Sequence, residues 1–401
     1  MRRPGHGGEG PYHVADMADA RTRLLVEANA VCAVHQSGIG HAVQGLITAL
    51  ARDERARARY RLELIVPLRG AEQLRRRQLG SVPRVTMPLP LRGYDRWSAL
   101  RVIPPLDVLL GRGVYVFPNF GNWPLLRSPS LTFVHDLAFM RHPETVEART
   151  RARLRDNAPR WAQRTDLVVT PSAFSKREVV ECLRVPESRV AVVPWGVDTG
   201  WFSPRGASEI QVLLRSLSLP HDPVLYVGNI EPRKNLARLV RAYGRLDASL
   251  KRRHPLVLAG SSSWNSTTID TAIAVAQERG DPVVRLRSRI SDADLPVLLS
   301  AAVMLAHPAL YEGFGLVPLQ AMASGTPVLV TDRSAMPEVV GPAGAYVDPE
   351  DEDAIAAQLT RMLTDAELRA SLVAAGLQRA AQFPWRRTVT ELLRAMRSVE
   401  R

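Results

Sequence analysis

Cysteine is nearly missing from these 401 residues, with Cys32 and Cys182 the two present. A single pair cannot build a disulfide framework or a cysteine metal site. Lysine is almost as scarce: Lys176, Lys234 and Lys251 are the full set. No apolar run reaches the roughly eighteen residues that a membrane-spanning helix needs. Met1 to Ala20 lacks the apolar core of a secretion signal, carries Gly, His and Asp, and reads as a flexible tail. No His/Glu or Cys/His group has metal-ligand spacing, so no metal site is expected. No Gly-x-Ser-x-Gly elbow points to hydrolase chemistry. These absences together predict a soluble, cytoplasmic protein.

What is present begins with bulk. The length exceeds one ordinary core and suggests two or three domains. With 46% hydrophobic and 23% charged residues, disorder and low-complexity architectures are excluded for most of the chain. The net charge of +13 invites a nucleic-acid reading. Yet nearly all the basic residues are arginine, which reflects chain-wide composition rather than one binding patch. An anionic small molecule or an anionic lipid surface is the expected partner, and no nucleic acid is.

Short β-branched runs alternate with helical patterns. Leu24 to Glu27, Leu62 to Val66, Val114 to Phe117, Leu131 to Val134, Leu167 to Thr170 and Val190 to Val193 read as buried strands. Helices are predicted at Gly40 to Arg52, Thr150 to Gln163 and Ala173 to Leu183. Pro, Gly and Ser from Pro194 to Pro223 interrupt the rhythm and suggest a domain boundary. A second series of strands follows at Val224 to Val227, Pro255 to Ala259, Val283 to Leu286, Ala302 to His307 and Pro327 to Thr331. Its helices are predicted at Asn235 to Leu246, Asp292 to Ala301, Leu316 to Ala323 and Glu350 to Leu363. This order implies an α/β protein of two doubly wound parallel-sheet domains, with binding in the cleft beyond the strands' carboxyl ends.

Two segments carry chemistry. Gly228-Asn229-Ile-Glu-Pro-Arg233-Lys234-Asn235 lies between a strand and a helix. Two cations beside a helix N-terminus oppose the helix dipole, a cost most easily sustained when an anion sits there. They then make a diphosphate site; the alternative is two side chains extended into solvent. The second segment, Tyr311-Glu312-Gly313-Phe314-Gly315, follows a strand and opens a helix that holds Gln320 and ends at Gly325. Gly313 and Gly315 permit a tight turn and close approach to a ligand. Glu312 offers a carboxylate to sugar hydroxyls, or is an incidental acid in a strand–turn–helix joint. Asp292-Ala-Asp294 has the spacing of a carboxylate pair, but first-turn acids favouring the helix dipole explain it more simply.

With four further segments the chain resembles a retaining glycosyltransferase of family 4, mannosyltransferase-like branch. These are Ser37-Gly-Ile-Gly40-His, Val134-His135-Asp136-Leu-Ala, Thr170-Pro-Ser172-Ala-Phe-Ser-Lys-Arg and Val192-Val-Pro-Trp-Gly196-Val-Asp198. The six segments run in the family's order from about Arg23 to Arg397, and His135-Asp-Leu-Ala-Phe-Met-Arg-His-Pro-Glu resembles the branch that builds surface polysaccharides. The resemblance implies the GT-B fold, two Rossmann-like domains facing across a cleft. The expected organisation is a tail over residues 1–22, an acceptor-side domain over 23–198, a linker over 199–222, a nucleotide-sugar domain over 223–384, and a crossover helix over 385–401 returning to the first domain.

The resemblance also implies roles. Arg233 and Lys234 neutralise the diphosphate as it leaves, with no metal and no cofactor beyond the nucleotide-diphospho-sugar co-substrate. Glu312 holds the transferred sugar, His135 positions the reacting centre, and Asp136 orients His135 or its loop. Gly38 and Gly40 form a loop approaching donor phosphates and acceptor; lacking a third glycine, they do not make a dinucleotide fingerprint. Asn229, Gly313, Phe314 and Gly315 line the donor, and Arg289 and Ile290 lie against its base. The family's second glutamate, on the ribose diol, is here Gln320, which exchanges a charged hydrogen bond for a neutral one at a cost of about 1 kcal/mol.

The implied reaction is transfer of a hexose, from GDP-mannose or else a UDP-sugar, to a hydroxyl of a sugar, glycolipid or small-molecule acceptor. Surface polysaccharide, glycolipid or secondary-metabolite synthesis is the expected setting. Gln320 leaves open an inactive sugar-nucleotide-binding subunit. The six arginines between Arg149 and Arg164 are a solvated face or, by the resemblance, a peripheral contact with an anionic inner-membrane surface.

Overall fold

The computed structural model describes residues 20–33, 37–68, 70–87, 104–261, 264, 266–286 and 290–400. Most of the expected tail, and Arg289, lie outside the described residues. Among the described residues the chain forms two wholly parallel sheets.

The first sheet contains β1 (Thr22–Glu27), β2 (Tyr60–Pro67), β3 (Arg84–Met87), β4 (Val114–Phe117), β5 (Ser130–Phe133), β6 (Leu167–Thr170) and β7 (Val190–Val192), in the order β3-β2-β1-β4-β5-β6-β7. The second contains β8 (Val224–Val227), β9 (Leu256–Ala259), β10 (Val283–Leu286), β11 (Met304–His307), β12 (Val328–Thr331) and β13 (Gly344–Val347), in the order β10-β9-β8-β11-β12-β13. Each strand order reverses direction once, between β1 and β4 and between β8 and β11. Such reversals open a crevice at the strands' carboxyl ends, where ligands of doubly wound sheets bind.

The strand runs are apolar for a physical reason. β4, β5, β6, β11 and β12 are buried at every position, because helices cover both faces of a parallel sheet. β3 and β13 were not expected from the sequence. Both are edge strands with alternating exposure, so neither shows a continuous apolar run.

The segment over 199–222 is more than a bare connection. Ala207–Ser216 is helical, buries Leu213 and Leu214, and packs on the Leu295–Ser300 helix. The last helix, Trp385–Val399, is strongly amphipathic, burying Val389, Leu392, Leu393 and Met396 at helical spacing. It packs against the Gly38–Arg52 helix beside the first sheet. Thr388 Oγ1 donates to Pro194 O at 2.8 Å, and Val197 N to Phe383 O at 2.8 Å.

Candidate active site

The turn after β8 is held at three points. Asn235 takes a left-handed conformation (φ 61°), which asparagine tolerates better than most residues, and caps the Leu236–Gly244 helix. Its buried Nδ2 donates to Pro308 O at 3.0 Å and Pro349 O at 2.6 Å. Leu310 N donates to Arg233 O at 2.9 Å. Arg233 and Lys234 therefore sit in a short 3-10 turn, Pro232–Lys234, ahead of the helix rather than in its first turn.

Both cations point at Glu312, which follows β11. Arg233 Nη1 lies 3.2 Å from Glu312 Oε2 and 2.8 Å from Tyr311 O, and Nη2 lies 2.9 Å from Glu231 Oε1. Lys234 Nζ donates to Glu312 Oε1. The same oxygen lies 2.9 Å from His307 Nε2, and Ser334 Oγ accepts from Glu312 N at 3.1 Å. The group lies at the reversal between β8 and β11, the binding position of the second sheet.

The electrostatics follow from burial. Burial pushes the Glu312 carboxyl upward, but Lys234, Arg233 and the His307 hydrogen bond outweigh it and hold the group well below the usual carboxylate range. Burial likewise opposes the charge on Arg233. Glu312, Asp136 and Glu231 outweigh that and hold the guanidinium above its ordinary value.

The Tyr311–Gly315 turn also meets the first-sheet half of the molecule. Gly315 has φ 98°, left-handed backbone that favours glycine, and opens the Leu316–Ala323 helix. Ser172 Oγ and Ser175 Oγ, at the start of the Ala173–Leu183 helix, donate to Gly313 O at 2.7 and 3.1 Å. Leu137 N donates to Tyr311 Oη at 3.1 Å. Glu338, beyond β12, accepts from Ala173 N at 2.8 Å and Phe174 N at 3.0 Å.

His135 stands just past β5, within this contact. Its ring stacks on Trp195 at 5.7 Å, and Nε2 donates to Pro118 O at 2.9 Å. Burial depresses its pKa to about 4 against the pull of Asp136 and the Pro118 bond, so the ring is neutral near pH 7. Asp136 Oδ1 accepts from Ala138 N at 3.1 Å, a loop-ordering contact.

Other expected site residues fall differently. Gly38 and Gly40 form the first turn of the Gly38–Arg52 helix rather than a loop before it; Ser37 Oγ accepts from Gly40 N at 3.3 Å. Asn229 is exposed, and its carbonyl accepts from Tyr226 Oη at 2.8 Å. Ile290 is half-buried against the core. Phe314 is a core residue, edge-on to Phe383 at 6.0 Å, so only its backbone faces the turn. Gln320 is 8% exposed, and its side chain has no hydrogen bond among the described residues. Asp292 and Asp294 precede the Leu295–Ser300 helix rather than charging its first turn; Ser291 Oγ donates to Asp294 Oδ2 at 2.6 Å.

Sequence reasoning missed His307, Ser334, Glu231 and Glu338. A histidine closing an apolar strand five residues before Glu312 was the one available signal. A cavity of about 500 Å³ lined by Asn122, Arg127, Ser130, Arg164 and Asp166 lies elsewhere, at the amino ends of β5 and β6. Doubly wound sheets bind ligands at the opposite ends, where the Glu312 cluster lies, which makes that cluster the candidate site. Of the six arginines, Arg151 bonds Pro143 O, Arg164 bonds Asn122, and Arg153 sits over the Trp161 ring. Arg149, Arg155 and Arg160 are exposed. Among the described residues no helix is long and apolar enough to cross a membrane.

Comparison with known proteins places two family models on the chain. Residues 37–201 match Glycosyltransferase Family 4, and residues 219–379 match Glycosyl transferases group 1. O-antigen chain mannosyltransferase B of Escherichia coli is 33% identical over 286 residues, 70% of this chain and 73% of that protein. The serotype-specific mannosyltransferase WbdA of Escherichia coli is 31% identical over 229 residues, 56% of this chain but 28% of the longer relative. Among solved structures, HepE of Anabaena in complex with UDP and glucose superposes with a TM-score of 0.72 at 17% identity, over 94% of this chain and 100% of that one. At that identity the likeness shows the fold alone.

Proposed function

This chain belongs to glycosyltransferase family 4 and has the GT-B fold, and we propose that it transfers mannose from GDP-mannose to an acceptor hydroxyl of a growing surface polysaccharide, with retention of configuration. The observation that carries this reading is Glu312, held between Arg233 and Lys234 at the reversal of the second sheet. Mannosyltransferase relatives support the choice of sugar.

The chemistry follows from the charges. The acceptor oxygen forms a bond to the anomeric carbon as the bond from that carbon to the β-phosphate oxygen breaks. The hydroxyl proton passes to the departing phosphate, and the products are a glycoside and a nucleoside diphosphate. Negative charge grows on the leaving oxygens, and Arg233 and Lys234 are pre-positioned to meet it without reorganising solvent. In the free protein, Glu312 neutralises the two cations and keeps them in the crevice. With donor present, both cations turn to the diphosphate, and Glu312, still bonded to His307, accepts from the sugar hydroxyls in their place. The buried, neutral His135 borders the same crevice from the first sheet. Closure of the two halves excludes water and limits hydrolysis.

The relatives give no support to an inactive partner subunit, and the cations and carboxylate of the site are all in place. The test is a panel of GDP- and UDP-sugars read by thermal shift, then by acceptor-dependent release of nucleoside diphosphate. GDP-mannose alone stabilising and turning over fits the proposal. Turnover of a UDP-sugar alone overturns the donor assignment, and no binding of any sugar nucleotide overturns the site.

A further inference from the structure

Glu312 has three charge-bearing or donating partners, and a diphosphate needs two of them. The third, His307, is the last residue of β11 and is 2% exposed. Its ring stacks on Tyr226 of neighbouring β8 at 5.7 Å and 13°, so it cannot swing away without losing that packing. Its Nε2 lies 2.9 Å from Glu312 Oε1. An ionised carboxylate only accepts, so Nε2 carries the proton and donates.

Burial lowers the pKa of the ring, the Glu312 bond pulls it back up, and Lys234 and Arg233 lower it further. The ring is therefore neutral while both cations are present. Nδ1 is then a buried lone pair without a hydrogen-bond partner. An unmet buried acceptor destabilises a fold, and phenylalanine would stack on Tyr226 without that cost. The cost is explained if Nδ1 has a use in another state.

We infer that His307 is a positioning residue that stays bonded to Glu312 when Arg233 and Lys234 turn to the donor diphosphate, and that Nδ1 takes up one proton from solvent as they leave. This rests on the diphosphate reading above. A buried carboxylate stripped of both cations is strongly unfavourable, and an imidazolium beside it restores a counter-charge. The remaining groups around the ring do not supply one. The Tyr226 phenol donates to Asn229 O. Glu231 is paired to Arg233, and Asp136 acts on that same arginine from the first-sheet side.

The test is calorimetry of GDP, and of UDP, against the full chain in two buffers of different ionisation enthalpy. At about pH 8 the terminal phosphate is already ionised, so its own titration contributes little. The wild type is expected to take up close to one proton per nucleotide bound. His307→Gln keeps an N–H toward Glu312 but cannot titrate; it is expected to bind and to lose the uptake. His307→Phe keeps the stacking and loses the N–H, and is expected to bind at least about tenfold more weakly with a lower kcat. Uptake retained in His307→Gln, no uptake in the wild type, or wild-type binding and kcat in His307→Phe would each overturn the inference and leave the proposed function standing. The glutamine variant decides the matter even if the phenylalanine variant fails to fold. If neither nucleotide binds the wild type, the proposed function fails and this inference with it.

Discussion

Gly313 lies against His135 so closely that a Cβ on the glycine would stand 1.9 Å from the His135 carbonyl oxygen. The contact joins the turn after β11 to the loop after β5, so backbone from the two halves of the molecule touches directly at the candidate site. Gly313→Ala cannot be absorbed by a side-chain rotation, because the opposing atom is main chain. The halves must part locally, at a cost of about 1–3 kcal/mol. At least a tenfold fall in kcat/KM for transfer is expected, read by acceptor-dependent nucleotide release. Unchanged kinetics would show that the contact is irrelevant to turnover.

Glu338 is a second tie across the same line. Its carboxylate accepts from the first two N–H groups of the Ala173–Leu183 helix, which Ser172 also caps. Negative charge there is favourable and worth about 0.5–1 kcal/mol at an exposed position. Glu338→Ala is expected to open the free protein, giving a larger radius of gyration in solution scattering and a several-fold higher donor KM. The melting temperature of either half is expected to move little.

Gln320 provides a test by gain. Its amide is nearly buried and unbonded within the described residues, and it stands one turn beyond the Glu312 turn, on the Leu316–Ala323 helix. If Gln320 faces the donor ribose, as the family resemblance implies, glutamate at this position turns a neutral contact into a charged one, worth about 1 kcal/mol. Donor affinity of Gln320→Glu is expected to rise roughly fivefold by calorimetry. No tightening would place Gln320 off the ribose.

Two buried groups set the pH dependence of stability in opposite directions. Burial raises Glu27, at the end of β1, to about 7 against the bond from Asn29 N. Between its unfolded value near 4.5 and about 7 the folded state holds the extra proton. Its contribution is therefore complete below about pH 4.5 and lost as pH rises through 7. His135 is lowered to about 4, so the unfolded state binds the extra proton between about 4 and 6.5. Its contribution is complete above about pH 6.5 and lost as pH falls through 4. Glu27→Gln is expected to gain on the order of 3 kcal/mol relative to the wild type at pH 8 and much less at pH 5. Denaturant melts at the two pH values read the difference.

Much of the fold was legible because the interior strands of parallel sheets are continuous apolar runs. Val114–Phe117, Leu167–Thr170 and Val224–Val227 fall at their expected bounds, as does the edge strand Val283–Leu286, buried only at its two ends. Helices Ala173–Leu183 and Leu316–Ala323 also do, each bounded by a clear stop or start signal. Two of the four edge strands were illegible: Arg-Val-Thr-Met and Gly-Ala-Tyr-Val alternate in exposure and are too short to register as a pattern. Helix Ala207–Ser216 was hidden by the prolines and glycines around it.

At the site, Arg233, Lys234 and Glu312 were readable because charge at a strand–helix joint is conspicuous. What could not be read was which charges answer one another. His307 looked like the end of an apolar strand, and Glu338 like one surface acid among many. Phe314 was expected beside the donor, yet its ring fills the core while the glycines on either side form the turn. Spacing along the chain does not tell which atoms of a motif face the crevice.

Under the proposed function, Lys234 and Arg233 together grip the donor's diphosphate. Calorimetry of Lys234→Ala with GDP, GMP and guanosine tests it most directly. The fold is expected to survive, since Glu312 keeps Arg233 and His307 as partners. Affinity for GDP is expected to fall at least tenfold, the loss of one charge-assisted contact of about 1.5–3 kcal/mol, while guanosine binding stays as in the wild type. An undiminished preference for GDP over GMP in a folded Lys234→Ala protein would show that Lys234 does not hold the diphosphate.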